Sequence, residues 1–442
     1  MGLEIDIAGR AGRGRTVGRI SVAGILFAMV LFGSTSSVSP VSRALAAPAG
    51  PTALAAGPTA LAAGPRAVPK LGGTELYGYL PYWQMTPAMV TYLSGVPLST
   101  LELFSVGAAD TGGLLAKQTG FRRITGPLGA QIIRDAHLRG QRVELVFTSF
   151  GYDRNDRLFG RTGLFGRTGG ADRGDGVSRE TAAGGARWNR TATELLALAH
   201  RIGVDGINVD VELIGGDAFE GYTSFLAALR AGLDAMPAHA QLSVATMGSS
   251  AGADLAVAAI AAGVDRVFLM GYDYHWSGSN PGASAPIDRL DGTSTLRWSI
   301  DAYLANGVPA DRIVLGLPLF GMSWPVVSSD RYAMRTGKGT NWIPALHAAM
   351  LTKAGLLPYH DLLEETEFTA TPSTSGSGWQ ATFYDSPRTL RPKLLLAREA
   401  GFAGAGFWAI GYERGLPGYL GLMGDFRAGT VVPVSKAELG GR

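Results

Sequence analysis

The sequence predicts an α/β fold of the (β/α)8 type, a TIM barrel with a small α+β insertion after its seventh strand. Two observations predict it. Eight strand-like stretches recur between residues 76 and 413, with helical patterns between them, and such alternation builds parallel βαβ units. The length of 442 residues accommodates one barrel of about 250 residues plus a leader and insertions. A doubly wound open sheet is the competing arrangement. It calls for a glycine-rich phosphate loop after the first strand, and Leu80-Pro81-Tyr82-Trp83 is not one.

Residues 1–46 have the order of a secretory signal peptide. Arg10, Arg13, Arg15 and Arg19 precede the apolar run ISVAGILFAMVLFG at 20–33, and Ala44-Leu45-Ala46 follows it. The run is shorter than the roughly 20 residues that span a bilayer. An uncleaved anchor is the alternative, and it gives the chain its one expected membrane contact. Residues 47–73 repeat PTALAAG and contain no aromatic residue, which predicts a spacer outside the fold.

The barrel is expected over 74–428, with 429–442 as a C-terminal tail. Its strands are read at 76–83, 101–109, 142–150, 204–213, 241–247, 265–274, 312–321 and 404–413. Helical spacing of apolar residues marks 125–140, 191–203, 222–236, 294–307 and 386–401. Thr191 or Thr193 suggests a cap for the second of these. The stretch 151–190 is rich in glycine and arginine, with FGRTG at 159–163 and again at 165–169, and reads as a loop or lid. The stretch 325–380 is too long for a barrel loop and reads as the insertion, one wall of a cleft.

Composition narrows the function. The formal charge is only +3, from 39 basic and 36 acidic residues, which argues against a nucleic-acid partner. There are no cysteines, hence no disulfide, no thiolate-held metal and no lipoprotein anchor. The six histidines are scattered, with no HExxH, so no metal or other cofactor is expected. A monomer is the default.

The stretch Asp205-Gly-Ile-Asn208-Val-Asp210-Val-Glu212 carries the chemistry. Residues two apart on a strand share a face, so Asn208, Asp210 and Glu212 point one way. Three polar groups facing a barrel axis are unfavourable unless they form a network or a site. Glu212 is the member nearest the carboxyl end of the strand, where barrel enzymes work. A carboxyl beside a like charge and partly buried keeps its proton, as the acid of glycoside hydrolysis must. No second carboxylate at a fixed separation is evident; Glu75, Glu102 and Glu413 at strand margins are weaker candidates.

Together these residues resemble glycoside hydrolase family 18, the chitinase-like barrels. The pattern DGxDxDxE is matched by 205–212 at every named position but Asn208. YGYLPYW, Met270-Gly271-Tyr272-Asp273, GLPLFGMSW at 316–324 and Gly406-Phe407-Trp408-Ala409 resemble the family's first, sixth, seventh and eighth strands. The resemblance covers roughly 75–425. Asn208, with the region around the eighth strand, resembles a bacterial spore and cell-wall subgroup.

The resemblance implies retaining, substrate-assisted hydrolysis of β-1,4-linked N-acetylglucosamine polymers, chitin or the glycan of peptidoglycan, outside the cell or at its wall. Glu212 would be the acid and then the base, and Asp210 would orient the substrate's acetamido group. Tyr272 would donate to the acetamido oxygen, and Trp408 would form the floor under the reacting sugar. Tyr79 and Asp273 would line that subsite, with Asn208 behind Asp210. Trp83, Trp276 and Trp324 are candidate cleft aromatics, whereas His275 reads as a loop histidine. A catalytically weak or inactive carbohydrate-binding protein on the same barrel is the alternative.

Overall fold

The computed structural model describes residues 74–433, apart from 161–173, 237–239, 291, 293, 354 and 374–376. The leader and spacer expected at 1–73 lie outside the described residues, as does the tail beyond 433. Seven strands follow one another around a barrel: β1 (Glu75–Pro81), β2 (Thr100–Gly107), β3 (Arg142–Phe150), β4 (Gly206–Glu212), β5 (Gln241–Met247), β6 (Arg266–Met270) and β7 (Ile313–Pro318). The chain then leaves for β8 (Gly321–Val326), β9 (Thr340–Trp342), β10 (Tyr359–Asp361), β11 (Thr366–Pro372) and β12 (Trp379–Tyr384). It returns as β13 (Gly404–Trp408), which pairs in parallel with both β7 and β1 and closes the ring. The excursion forms a separate antiparallel sheet in the order β10-β11-β12-β8-β9.

The helices are α1 (Pro87–Leu93), α2 (Thr119–Ile124), α3 (Pro127–Leu138), α4 (Tyr152–Phe159), α5 (Gly174–Ile202) and α6 (Phe219–Asp234). They continue with α7 (Ser250–Ala261), α8 (Leu296–Ala305), α9 (Pro344–Lys353, in the insertion), α10 (Pro387–Glu399) and α11 (Tyr419–Ala428). Their starts follow side-chain chemistry. Thr86, Ser249 and Thr295 each accept a backbone N–H of the first turn, and Ser386 and Thr389 form a reciprocal capping box.

Three expectations need correction. The stretch 151–190 is not a loop: α4 and the start of α5 occupy its described parts. Thr191 is therefore no cap. It lies buried inside α5, and its hydroxyl donates to Gly112 O at 2.7 Å. The insertion begins at Gly321 rather than 325, because Met322 and its neighbours pair with β12 and β9 instead of continuing β7.

Strand alternation divides the buried residues into two cores. Ile207, Val209, Val211, Leu242, Val244, Val267 and Leu269 face outward against the helices. Tyr77, Tyr79, Phe104, Val146, Ala245, Phe268, Met270 and Val314 face the axis. Gly316 and Gly406 leave room for the largest of these rings: a Cβ there would lie 2.3 Å from Phe268 and 2.6 Å from the same ring. Polar groups fill the rest. Arg266 makes a two-pronged pair with Glu75, at 2.6 and 3.0 Å. Above it, Asn208 Nδ2 donates to Ser243 Oγ at 2.7 Å, and Ser243 donates to Glu144 at 2.5 Å. Gln241 donates to Glu144 and to the Tyr77 hydroxyl. Glu102 lies opposite Glu144 in the β2–β3 register, and neither of its carboxyl oxygens has a protein partner.

These interior acids hold protons more tightly than free carboxyls. Burial, then the Glu144 charge, pushes Glu102 well above the ordinary carboxyl range. Burial lifts Glu144 to about 7 against the pull of Arg142 and of the Ser243 hydrogen bond. Folded-state values raised above unfolded ones mean that the folded chain binds more protons, so stability falls as pH rises from about 4.5 through 7. Glu102→Gln removes one such group and can donate to Glu144. It is expected to flatten this decline and to raise the melting temperature at pH 8 by about 2–4 °C, for roughly 1 kcal/mol. An unchanged difference between melting at pH 5 and pH 8 would count against it.

Asn208 can be tested on the same network. The Ser243 proton is committed to Glu144, so the hydroxyl oxygen needs a donor from residue 208. Asn208→Asp supplies an acceptor instead and is expected to destabilise by about 1–3 kcal/mol at pH 8, and by less at pH 5, where the new carboxyl can donate. Equal stability of both proteins in urea at pH 8 would refute the assignment of that hydrogen bond.

Candidate active site

The polar face of β4 runs up the barrel axis. Asn208 is fully enclosed, Asp210 is nearly so, and Glu212 at the strand end is 7% exposed. The register sets Asp210 between Thr148 and Ala245, and Glu212 beside Phe150. Asp205, the first residue of the motif, does something else. Its carboxylate accepts from Val143 N and from His137, both at 2.8 Å, at the opposite end of the strand.

The end of β4 is clamped. Asn155 of α4 is buried and donates to Glu212 O at 2.6 Å and to Leu213 O at 3.3 Å. Its amide oxygen accepts from Ser149 Oγ at 2.7 Å, and Gly151 N also donates to Glu212 O. Leu213 then turns the chain with φ +62°. The Glu212 side chain borders an opening of about 200 Å³ lined also by Ile214, Phe219, Met247 and Met270.

The electrostatics favour protonated carboxyls. Burial, then the charges of Asp210 and Asp273, raises Glu212 well above its ordinary value. Burial alone lifts Asp210 and Asp273 to about 7. The Tyr272 hydroxyl is pushed up by burial and by Asp210, Asp273 and Glu212, so it stays a neutral donor amid three acids. Asp273 has φ +61°, and its N–H is fixed by Ser284 Oγ at 3.0 Å. One oxygen of Asp210 and the buried Tyr79 hydroxyl have no protein partner, which leaves hydrogen-bonding capacity for something bound between them.

Beside the acids stands an aromatic group. Trp408 lies at the end of β13, its ring centroid 4.6 Å from Phe104, 5.6 Å from Tyr79 and 6.5 Å from Trp83. Tyr79 packs edge-on against Phe268 at 4.8 Å, and Trp83 Nε1 donates to the Tyr412 hydroxyl. A bulge in β2 after Phe104 shifts the register against β3, which re-aims the strand at its upper end. Aromatic faces flanked by carboxyls and hydroxyls suit a sugar ring, which has apolar faces and polar edges.

The structure therefore gathers Asp210, Glu212, Tyr272, Asp273, Tyr79, Trp83 and Trp408, with Asn208 beneath. Trp276 lies on the loop after β6, its ring over Gly278. Trp324 is a correction: as part of β8 it is fully buried against Phe383, 6.1 Å between rings, and lines no cleft. The marginal acids fall elsewhere as well. Glu75 pairs with Arg266, Glu102 lies in the barrel interior, and Glu413 accepts from Tyr92 and Gly411 N. Phe104, Phe268 and Asn155 belong to the site or its support and went unread, since nothing in their local sequence distinguishes them from core or loop residues. Among the described residues, no group of three or more His, Asp or Glu could hold a metal ion, and no helix is long and apolar enough to cross a membrane.

Known proteins share this chain's family and fold. Residues 169–413 match the family described as glycosyl hydrolases family 18. Endochitinase 1 of Metarhizium robertsii is 28% identical over 227 residues, 48% of this chain and 53% of its own length, so the chain spans about half of that relative. The spore cortex-lytic enzyme SleL of Bacillus cereus superposes with a TM-score of 0.61 at 19% identity, over 82% of this chain and 75% of that one. A family 18 N-acetylglucosaminidase of Paenibacillus barengoltzii gives 0.62 at 16% identity, over 80% and 99%. At those identities the two structures speak to the fold alone. The family match spans more than half of the sequence, and the chain belongs to the glycosyl hydrolases of family 18.

Proposed function

We propose that the protein is a secreted, retaining glycosidase that cleaves β-1,4-linked N-acetylglucosamine polymers, chitin or the glycan of peptidoglycan, by substrate-assisted catalysis. The observation that carries this reading is the carboxyl of Glu212, raised by burial and by Asp210 and Asp273, at the carboxyl end of β4 in the same barrel whose β13 ends in Trp408 and its aromatic group. The relatives add support, since an endochitinase is 28% identical over 227 residues and a spore cortex-lytic enzyme shares the fold. Asn208 within the motif fits the bacterial spore and cell-wall subgroup.

In the proposed reaction the proton of Glu212 passes to the glycosidic oxygen as the C1–O bond breaks. The substrate's own acetamido oxygen attacks C1 from the other face, and an oxazolinium ion forms. Asp210 and the Tyr272 hydroxyl hold that acetamido group, one at its N–H and the other at its oxygen. Water then adds to C1, giving up its proton to the Glu212 carboxylate, so the enzyme is restored and the anomeric configuration is retained. No second enzyme carboxylate takes part in this scheme.

Glu212→Gln keeps the shape and removes the proton. Its turnover of acetylated chito-oligosaccharides and purified peptidoglycan, read by mass analysis of products, is expected to fall by at least about 10²–10⁴-fold. Equal product release by parent and variant would sink the mechanism, and glycan binding by the parent without turnover would favour the carbohydrate-binding alternative.

The pH profile offers a separate check. The acid must be protonated, so kcat/KM should hold up above the ordinary carboxyl range and decline only where Glu212, raised by burial and by Asp210 and Asp273, gives up its proton. The Asp273 charge raises Glu212, so Asp273→Asn should lower Glu212 and move the alkaline limb toward acid. A limb that stays in place, or moves the other way, contradicts that coupling.

A further inference from the structure

A pocket of about 390 Å³ opens between the loop after β6 and the insertion. His275, Asn280, Pro281 and Arg289 form one wall, and Tyr332 and Met334 the other. The loop follows β6 at the carboxyl end of the barrel strands, the end that carries Glu212, yet the hydrolysis above does not use this pocket.

Its cation is fixed in place. His275 Nδ1 lies 2.7 Å from Asn280 O and donates to that carbonyl, which leaves Nε2 to accept from the Arg289 guanidinium. Gly282 packs under the imidazole, where a Cβ would lie 2.5 Å from the ring. Arg289 Nε is 3.5 Å from Glu364, which is buried behind it and is not part of the pocket lining. The Arg289 side chain is 19% exposed, and that exposure is toward the pocket it lines.

The opposite wall is aromatic and basic. Tyr332 is 58% exposed and carries the Arg331 guanidinium 4.5 Å from its ring centre. Arg331 is paired with Asp361. Arg335 and Lys338 follow on the same segment, whose one acid, Asp330, accepts from Ser328 Oγ at 2.7 Å. Aromatic and thioether surface beside a clamped guanidinium fits a sugar ring with a negative substituent, because a guanidinium binds a carboxylate through parallel N–H donors.

We propose that this pocket is a glycan subsite that selects a 2-acetamido sugar bearing a carboxylate, with Arg289 receiving the carboxylate and Tyr332 and Met334 packing on the ring. The proposal rests on the glycosidase reading and names its substrate class: an alternating glycan in which every second sugar carries a lactyl acid, in preference to a neutral polymer.

The probes are peptide-free peptidoglycan strands and the same strands after methyl esterification of their lactyl carboxylates. The parent enzyme is expected to show a kcat/KM at least about tenfold higher on the acid form. Arg289→Gln should bring that ratio to about one, and Arg289→Lys, which keeps the charge but loses the paired donors, should keep only part of it. A parent ratio near one overturns the proposal, as does an Arg289→Gln protein that retains the preference. The parent ratio needs no variant, so a failure of either substitution to fold leaves the test intact. Calorimetry of both glycans with the Glu212→Gln protein separates the two readings. Preferential binding of the acid form without turnover by the parent supports the subsite and rejects the hydrolase, whereas turnover with equal rates rejects the subsite alone.

Discussion

Everything in this molecule depends on enclosing carboxyl groups where they cannot ionise freely. Glu102, Glu144, Asp210, Glu212 and Asp273 all carry raised values, and burial is the first cause in each case. The cation nearest the inner acids is Arg142, which pulls on Glu102 and Glu144. Arg266 is already engaged by Glu75 at the base of the barrel. An acid column with so little compensation holds protons near neutral pH, and a held proton is what an acid catalyst delivers.

The enclosure comes from the barrel's alternation. One face of each strand packs against helices, and the other supplies rings or acids to the axis. A shift of one residue in β4 would send Val209 and Val211 inward and Asp210 and Glu212 into the apolar layer under the helices. Register is pinned on both sides by β3 and β5, and at the top by the Asn155 clamp on Glu212 O. The column and its clamp also explain the amide at 208. A carboxylate there would oppose the lone pairs of Ser243, while the amide donates to it and passes the polarity on to Glu144.

Much of this was legible in the sequence, for physical reasons that differ by element. The eight barrel strands are apolar runs bounded by turns, and each appears at its expected place within a few residues. The acid face of β4 followed from a period of two. The stretch 151–190 misled because its glycines read as breakers. In the fold, Gly184 lets α5 lie against Gly160, where a Cβ would come within 2.3 Å of that residue's Cα, and packing outweighs the helix cost of glycine. α7 escaped notice because SAGADLAVAAIA is apolar nearly all round, which leaves no amphipathic stripe to detect. Trp324 misled because β8 follows β7 after two residues, and nothing local marks the change of sheet. Asn155, Ser243 and Glu144 could not be paired in advance, since their partners lie 35 to 99 residues away.

The two charged regions of the barrel mouth are best understood together. A substrate carboxylate brought beside Asp210, Glu212 and Asp273 would set a negative charge against the group whose proton must move. Like charges at that range raise one another's affinity for protons, so the catalytic acid would hold its proton too tightly to give it up. An anionic glycan is compatible with such a site only if its negative groups are gripped elsewhere, with water and salt between. The guanidinium of Arg289 and the basic segment at 331–338 lie in the β6 loop and the insertion, outside the barrel axis. Inside the barrel the problem is one of keeping a proton on a carboxyl; at the insertion it is one of recognising a carboxylate that has none.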